Sequence, residues 1–462
     1  MIPRVVIAGT SSGAGKTSVT CGVIGALRRR GLRVQGFKVG PDYIDPSYHA
    51  LASGRPGRNL DAFLSGPELI VPLARHGARG ADVAVIEGVV GLFDGASGRG
   101  ELASTGHVAK LLRAPVVLVV DAASMARSVA AVVHGYRTFD PEVNVAGVIF
   151  NKVGSDHHEE LLREAVAPLG LPVLGALRRD ARVEAPERHL GLVPAGEREG
   201  RTRATLAALA DAAEREVDLG GVLALARDAA PLAGVEWDPT AAAQRPRRAV
   251  GDDCGGRAGL SDVRIAVARG PAFSFHYQEN LELLEATGAQ LLAFDPLVDR
   301  ELPEGAGALL LAGGFPEAFG PELAANAPMR AAVAEFAGPV LAECGGLLYL
   351  CRDLDGHPMC GVLPASARMT DRLHLGYREA AAATAIPWMD VGARVRGHEF
   401  HYSEVEPASG APAWILRARG REQAEGFVAG AVQASYLHVH WAASPELARR
   451  FVQAAAAVPV SA

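Results

Sequence analysis

The sequence predicts an α/β protein of two successive domains, the first built on a doubly wound, mostly parallel sheet and the second again α/β. Three observations predict it. Short apolar runs alternate with helical stretches, as buried parallel strands and their crossover helices require. A glycine-rich loop joins the first apolar run to the first helix. The alternation lapses between about 227 and 262 and then resumes.

In order, RVVIAG leads through the glycine loop into the helical KTSVTCGVIGALRRRG. RVQGFKVG, ADVAVIEG, APVVLVVDA, VAGVIFNKV and LPVLGAL follow as further strands, with alanine- and leucine-rich helical segments between them. Residues 227–262 contain DPTAAAQRPRR and GDDCGGRAG. They are rich in Pro, Gly, Arg and Asp without apolar periodicity and read as a linker. The first domain is therefore expected over 1–226 and the second over 263–462. The second opens with VRIAVARG, QLLAFDPL, GALLLAGG and PVLAECGG, and turns more β-rich around VRGHEFHYSEVE.

Composition removes several classes. The chain has 462 residues, 49% hydrophobic and 21% charged, with a formal net charge of −6. That balance argues against a broad nucleic-acid surface. No apolar run approaches the roughly 18 residues of a membrane helix. MIPRVVIAGT runs straight into the glycine loop, which argues against a secretory leader and makes the cytoplasm the expected setting. The cysteines are Cys21, Cys254, Cys344, Cys351 and Cys360. They form no CxxC pair, so neither a disulfide framework nor a cysteine zinc site is expected.

Gly9-Thr-Ser-Ser-Gly13-Ala-Gly15-Lys16-Thr17-Ser18 lies between a strand and a helix, the context of a P-loop. Glycines let backbone N–H groups face phosphate oxygens, and the helix N-terminus adds positive potential. Lys16 is placed to reach the β- and γ-phosphates and Thr17 to hold Mg²⁺. Five residues rather than four separate Gly9 from Gly15, and Thr10 stands at the strict first position.

Carboxylates follow at the ends of later strands, where ligands bind open α/β sheets. Lys38, Asp42 and Asp45 lie in FKVGPDYIDP. Read alone, they suit metal or polar-substrate binding and an Asp-Pro turn equally. Glu87 stands where P-loop proteins often put a metal-linked carboxylate, and Asp94 lies in a Gly-flanked stretch able to approach substrate. Asp121 is a weaker candidate or a cap, and Asn151 either reads adenine or caps. His157 and His158 read as a solvated helix start.

The second domain carries a nucleophile pattern. Cys344 sits between a strand and a helix N-terminus in AECGG, with glycines for a sharp elbow and a dipole expected to lower the thiol pKa. Backbone N–H groups at Gly313, Gly314 and Gly345 are the expected oxyanion hole. SYLHVHW supplies His438 and His440, which strand alternation places on one face, so either can serve as the base. His398 and His401 remain core, interface or site residues. The remaining cysteines read as incidental.

The loop resembles GTxxxxGKT of the dethiobiotin-synthetase-like branch of P-loop proteins. It lacks the additional early lysine of the neighbouring partition-type ATPases. GTSSGAGKTS, FKVGPDYIDPSYH, VIEGVVGLFDG, LAGGFPE, AECGGLLYL, GHEFHYS and SYLHVHW together resemble the cobyrinic or hydrogenobyrinic acid a,c-diamide synthases of corrin biosynthesis. The resemblance spans nearly the whole chain outside the linker. It implies an ATP- and glutamine-dependent ligase that amidates the c and then the a acetate of a corrin polycarboxylate. The second domain is similar to class I glutamine amidotransferases of the type without the usual acidic third member.

On that resemblance Cys344 is the nucleophile and His438, preferred over His440, the base. Gly13, Gly15, Lys16, Thr17, Ser18, Lys38 and Asn151 are expected to bind ATP. Thr17, Asp45 and Glu87 are expected at Mg²⁺, and Asp42, Tyr43, Ile44 and Asp94 at the corrinoid. The expected partners are small molecules, namely corrin polycarboxylate, L-glutamine and ATP; no nucleic acid or membrane is expected, and a homodimer is left open. Two rivals remain, a partition-type ATPase switch and amidation of another polycarboxylate.

Overall fold

A computed structural model describes residues 2–179, 197–244, 262–418 and 420–457. The chain divides into two compact units, the first running to Trp237 and the second from Asp238.

The first unit is a seven-stranded parallel sheet. Its strands are β1 (Arg4–Gly9), β2 (Val34–Val39), β3 (Arg58–Leu60), β4 (Val83–Glu87), β5 (Val116–Asp121), β6 (Val145–Val153) and β7 (Val173–Arg178). They lie in the order β3-β2-β4-β1-β5-β6-β7. β1, β2 and β4 are buried along their whole length, which explains why they read as unbroken apolar runs. The order reverses at β1, so the loop after it opens at the carboxyl edge of the sheet, between its β4 and β5 neighbours.

Helix α1 (Lys16–Arg29) covers β1 and packs against the helix Glu197–Glu216. Gly22 permits that approach, since a Cβ there would come within 2.7 Å of the Leu209 carbonyl oxygen. Helix α2 (Ile44–Ser53) follows β2.

Part of the expected linker is packed in place. Arg4 donates to the carbonyls of Leu112, Arg113 and Ala230. Trp237 N donates to Pro72 O, and its ring meets His76 edge-on at 5.0 Å. Residues 245–261 of that segment, Cys254 included, lie outside the described residues.

The second unit holds a six-stranded sheet and a second, mostly antiparallel one. The first contains β8 (Arg264–Ala268), β9 (Gln290–Phe294), β10 (Ala306–Leu311) and β11 (Val340–Glu343), all parallel, and continues beyond β11 with Val432–Ser435. The β-rich part is a long hairpin of Ser366–Ala382 against Arg394–Glu406. The short strand His438–Val439 pairs with Arg394–Glu406, opposing His398 to His438.

Candidate active site

In the first unit the P-loop wraps around its own lysine. A Cβ at Gly9 would fall 2.9 Å from Lys16 Cγ. Gly15 has φ 96°, and a Cβ there would strike Asn151 Nδ2 at 2.0 Å. Asn151 donates to Ala14 O at 3.0 Å, so it buttresses the loop. Lys16 Nζ donates to Ser11 O and Val90 O. Burial, with Lys38 nearby, lowers Lys16 to about 8 against the pull of Glu87, Asp45 and Asp94.

Behind the loop lies a buried charge cluster. Thr17 Oγ1 donates to Glu87 Oε1 at 2.7 Å and lies 3.3 Å from Asp45 Oδ1. Lys38 Nζ bridges Asp45 Oδ2 at 2.6 Å and Glu87 Oε1 at 2.9 Å. Burial would raise the Glu87 carboxyl, but Lys38, His49 and Thr17 outweigh it and hold Glu87 below the usual carboxylate range. Burial, with Asp42 and Glu87 beside it, pushes Asp45 up. Burial lowers Lys38 less than Asp45 and Glu87 raise it, so it stays charged.

His49 is the member of this cluster that sequence reasoning missed. It is fully buried and its Nε2 lies 2.6 Å from Glu87 Oε2. Asp42 caps α2, accepting from Ile44 N at 2.8 Å, while Tyr43 is buried. Asp94 is exposed in its loop and accepts from Gly91 N at 3.0 Å. Asp121 pairs with Lys152 at 2.7 Å.

A hydroxyl and two carboxylates thus converge around one ammonium. These are hard oxygen donors with surplus negative charge, a set that fits Mg²⁺. No group of three or more His, Cys, Asp or Glu able to hold a metal occurs among the described residues, so the fit rests on Thr17 with the two carboxylates.

In the second unit Cys344 turns the chain from β11 into the helix Gly345–Leu350, with φ 48° and ψ −100°. Such a conformation is strained for a side-chain-bearing residue. It is held by Cys344 N donating to Ser435 O at 2.7 Å. The thiol is not lowered as expected. Burial pushes it above its ordinary value, and Glu317 adds to that, while the following helix spans only six residues. Burial thus favours the neutral thiol over the thiolate at this position.

The expected oxyanion glycines crowd the same corner. A Cβ at Gly345 would lie 2.9 Å from Gly314 N, and one at Gly313 would lie 2.4 Å from His438 Cε1. The two histidines do not share one strand face, because the strand ends at Val439. His438 Nδ1 lies 3.5 Å from Glu343 Oε2. His440 instead heads a 3₁₀ turn, accepts from Ala442 N, meets the Tyr277 ring at a tilt with centroids 4.7 Å apart and lies 3.4 Å from Glu279. His398 and His401 are buried to differing degrees and lowered to about 3, mainly by burial. His401 stacks on Tyr436 at 3.6 Å.

The fold around these two corners is that of a P-loop nucleotide-binding domain joined to a glutamine amidotransferase domain. Comparison with known proteins agrees. Residues 5–193 match the CobQ/CobB/MinD/ParA nucleotide binding domain, and residues 264–446 the CobB/CobQ-like glutamine amidotransferase domain. The chain is 55% identical to the hydrogenobyrinate a,c-diamide synthase of Streptomyces coelicolor, over 98% of this chain and 97% of that one. It is 49% identical to that of Mycobacterium bovis, with 98% of each covered. It is 45% identical to the cobyrinate a,c-diamide synthase of Syntrophotalea carbinolica, over 97% and 98%. The chain belongs to the family of hydrogenobyrinate and cobyrinate a,c-diamide synthases.

Proposed function

We propose that this chain is an ATP- and glutamine-dependent ligase that converts the c and then the a acetate of hydrogenobyrinic or cobyrinic acid into carboxamides. The observation that carries this is full-length kinship with named diamide synthases, on a chain that has both a P-loop cluster and a Cys–His elbow.

A carboxylate does not yield to ammonia directly, because oxide is a poor leaving group. Transfer of the γ-phosphate of ATP to the acetate gives an acyl phosphate and ADP. Ammonia then attacks the acyl carbon and phosphate leaves. Lys16 neutralises the phosphates, and the N–H groups around Gly13, Gly15 and Ser18 cradle them. Thr17, Asp45 and Glu87 would hold Mg²⁺, which would screen phosphate charge when bound. Lys38 and His49 keep Glu87 ionised and aimed. Asp42, Tyr43, Ile44 and Asp94 face the corrinoid.

In the second unit Cys344 attacks the glutamine amide carbon while His438 takes the thiol proton. The oxyanion meets the N–H groups of Gly313, Gly314 and Gly345. Ammonia leaves with the proton returned by His438, and water hydrolyses the thioester to glutamate.

Among the described residues no helix is long and apolar enough to cross a membrane. A cytoplasmic setting belongs to the proposal, and light scattering decides whether the chain forms the homodimer left open by the sequence. The activity is tested by offering ATP, glutamine and each corrin acid and following ADP and amide formation. Glutamine-dependent ADP release with a corrin acid supports the reading, and its absence overturns it.

A further inference from the structure

The resemblance read from the sequence implies a glutaminase without an acidic third member, yet a carboxylate stands at His438. Glu343 closes β11 and immediately precedes Cys344. Its side chain is only 12% exposed. Oε2 lies 3.5 Å from His438 Nδ1, and Oε1 accepts from Val439 N at 3.3 Å. Both oxygens therefore address the His438–Val439 strand. Catalytic hydrogen bonds are often long in an unliganded enzyme and tighten when substrate binds.

Other ionisable groups act on His438 from the strand Arg394–Glu406, namely His398, Glu399 and His401. Glu399 is paired with Arg378 at 2.5 Å, and the two histidines are held neutral by burial. Glu343 is thus the carboxylate that meets no competing lysine or arginine among the described residues. The backbone also fixes the arrangement. Cys344 N bonds to Ser435 O, and Ser435 leads within three residues to His438.

We propose that Glu343 is a positioning residue of the glutaminase, which rests on the reading of Cys344 and His438 given above. Its carboxylate holds the Nδ1–H of His438 and leaves Nε2 as the base. When Sγ bonds to the amide carbon, the thiol proton moves to Nε2, and Glu343 balances the imidazolium until that proton departs with ammonia. One strand end then delivers the nucleophile and, one residue earlier, the group that orients its base.

The test uses the full-length chain with Glu343→Gln and Glu343→Asp. Glutamate release from glutamine is measured across pH, beside amidation driven by free ammonia. Glu343→Gln should lower the glutaminase kcat by roughly 100-fold or more, since amide-for-acid exchange behind a catalytic histidine is costly. KM should hold. The acidic limb of the pH profile should move to lower pH, because the imidazolium loses an opposite charge. Glu343→Asp should restore part of the rate, and ammonia-driven amidation should be unchanged. A Glu343→Gln enzyme with an unaltered rate and an unmoved limb overturns the proposal. So does loss of both activities without rescue by Asp, which would mark a purely structural bond to Val439. Persistence of glutaminase activity in Cys344→Ala would instead overturn the site reading itself.

Discussion

His49 Nε2 lies 2.6 Å from Glu87 Oε2, and the other oxygen of the same carboxylate meets Thr17 Oγ1 at 2.7 Å and Lys38 Nζ at 2.9 Å. Glu87 is fully buried, so its charge persists only because each oxygen is paired. The cluster thereby fixes the direction of Thr17, the first turn of α1 and the loop that precedes it.

Removing the cation should expose the cost of this arrangement. Lys38→Met leaves Glu87 and Asp45 buried without their ammonium. The first unit should lose about 3–5 kcal/mol, as breaking one side of a buried ion pair does. Denaturant unfolding measures it, and a change below about 0.5 kcal/mol would show that the carboxylates neutralise at little cost.

Cys344→Ala should abolish amidation driven by glutamine and retain amidation driven by ammonium salts. The prediction follows from placing phosphoryl transfer in one unit and amide hydrolysis in the other. Loss of both activities in a folded variant would contradict separable chemistry.

Asp94→Asn separates the halves in the opposite direction. Asp94 is exposed in the Gly88–Gly95 loop and accepts from Gly91 N at its base. Basal glutaminase activity should remain while the rate of corrin amidation falls at least tenfold. An unchanged amidation rate would remove Asp94 from the substrate site.

His438 and His440 should behave differently although both are 1% exposed. His438→Asn should abolish glutamate release with little change in melting temperature. His440→Ala breaks the cap on the 3₁₀ turn and the contact with Glu279, and should lower the melting temperature while the active-site chemistry persists. The reverse pattern would exchange their roles.

Glu425 makes stability depend on pH. Burial raises it from 4.5 to about 7, despite hydrogen bonds from Ser435 Oγ and Tyr436 N. Between those values the folded chain keeps a proton that the unfolded chain has released. The stabilising contribution is therefore complete below about 4.5 and is lost as pH rises to about 7, on the order of 3 kcal/mol in all. Glu425→Gln should flatten that slope in urea midpoints taken at pH 5 and pH 8, and an unchanged slope would contradict it.

The parallel strands were legible because both faces of β1, β2 and β4 are buried, leaving unbroken apolar runs. Strand β3 has three residues, Arg58–Leu60, too few to show a period. The P-loop and the cysteine elbow were legible because glycine spacing is a local property. His49 was not, since its role arises when α2 packs on β2. A Cβ at Gly36 would come within 2.7 Å of His49 Cβ, and the one available signal was a polar residue on the buried face of that helix. Glu343 read only as the last residue of a strand, because its partner lies 95 positions away in the chain. Alternation misplaced His440, because a two-residue strand ends before the pattern can act.

The most direct test of the central claim is mass spectrometry of the products formed from hydrogenobyrinic and cobyrinic acids offered in competition, with ATP and glutamine labelled at the amide nitrogen. The expected product is a corrin acid bearing two labelled carboxamides, accumulated after a singly amidated intermediate, with ADP formed alongside. A corrin acid recovered without label, while ATP and glutamine are consumed, would contradict it.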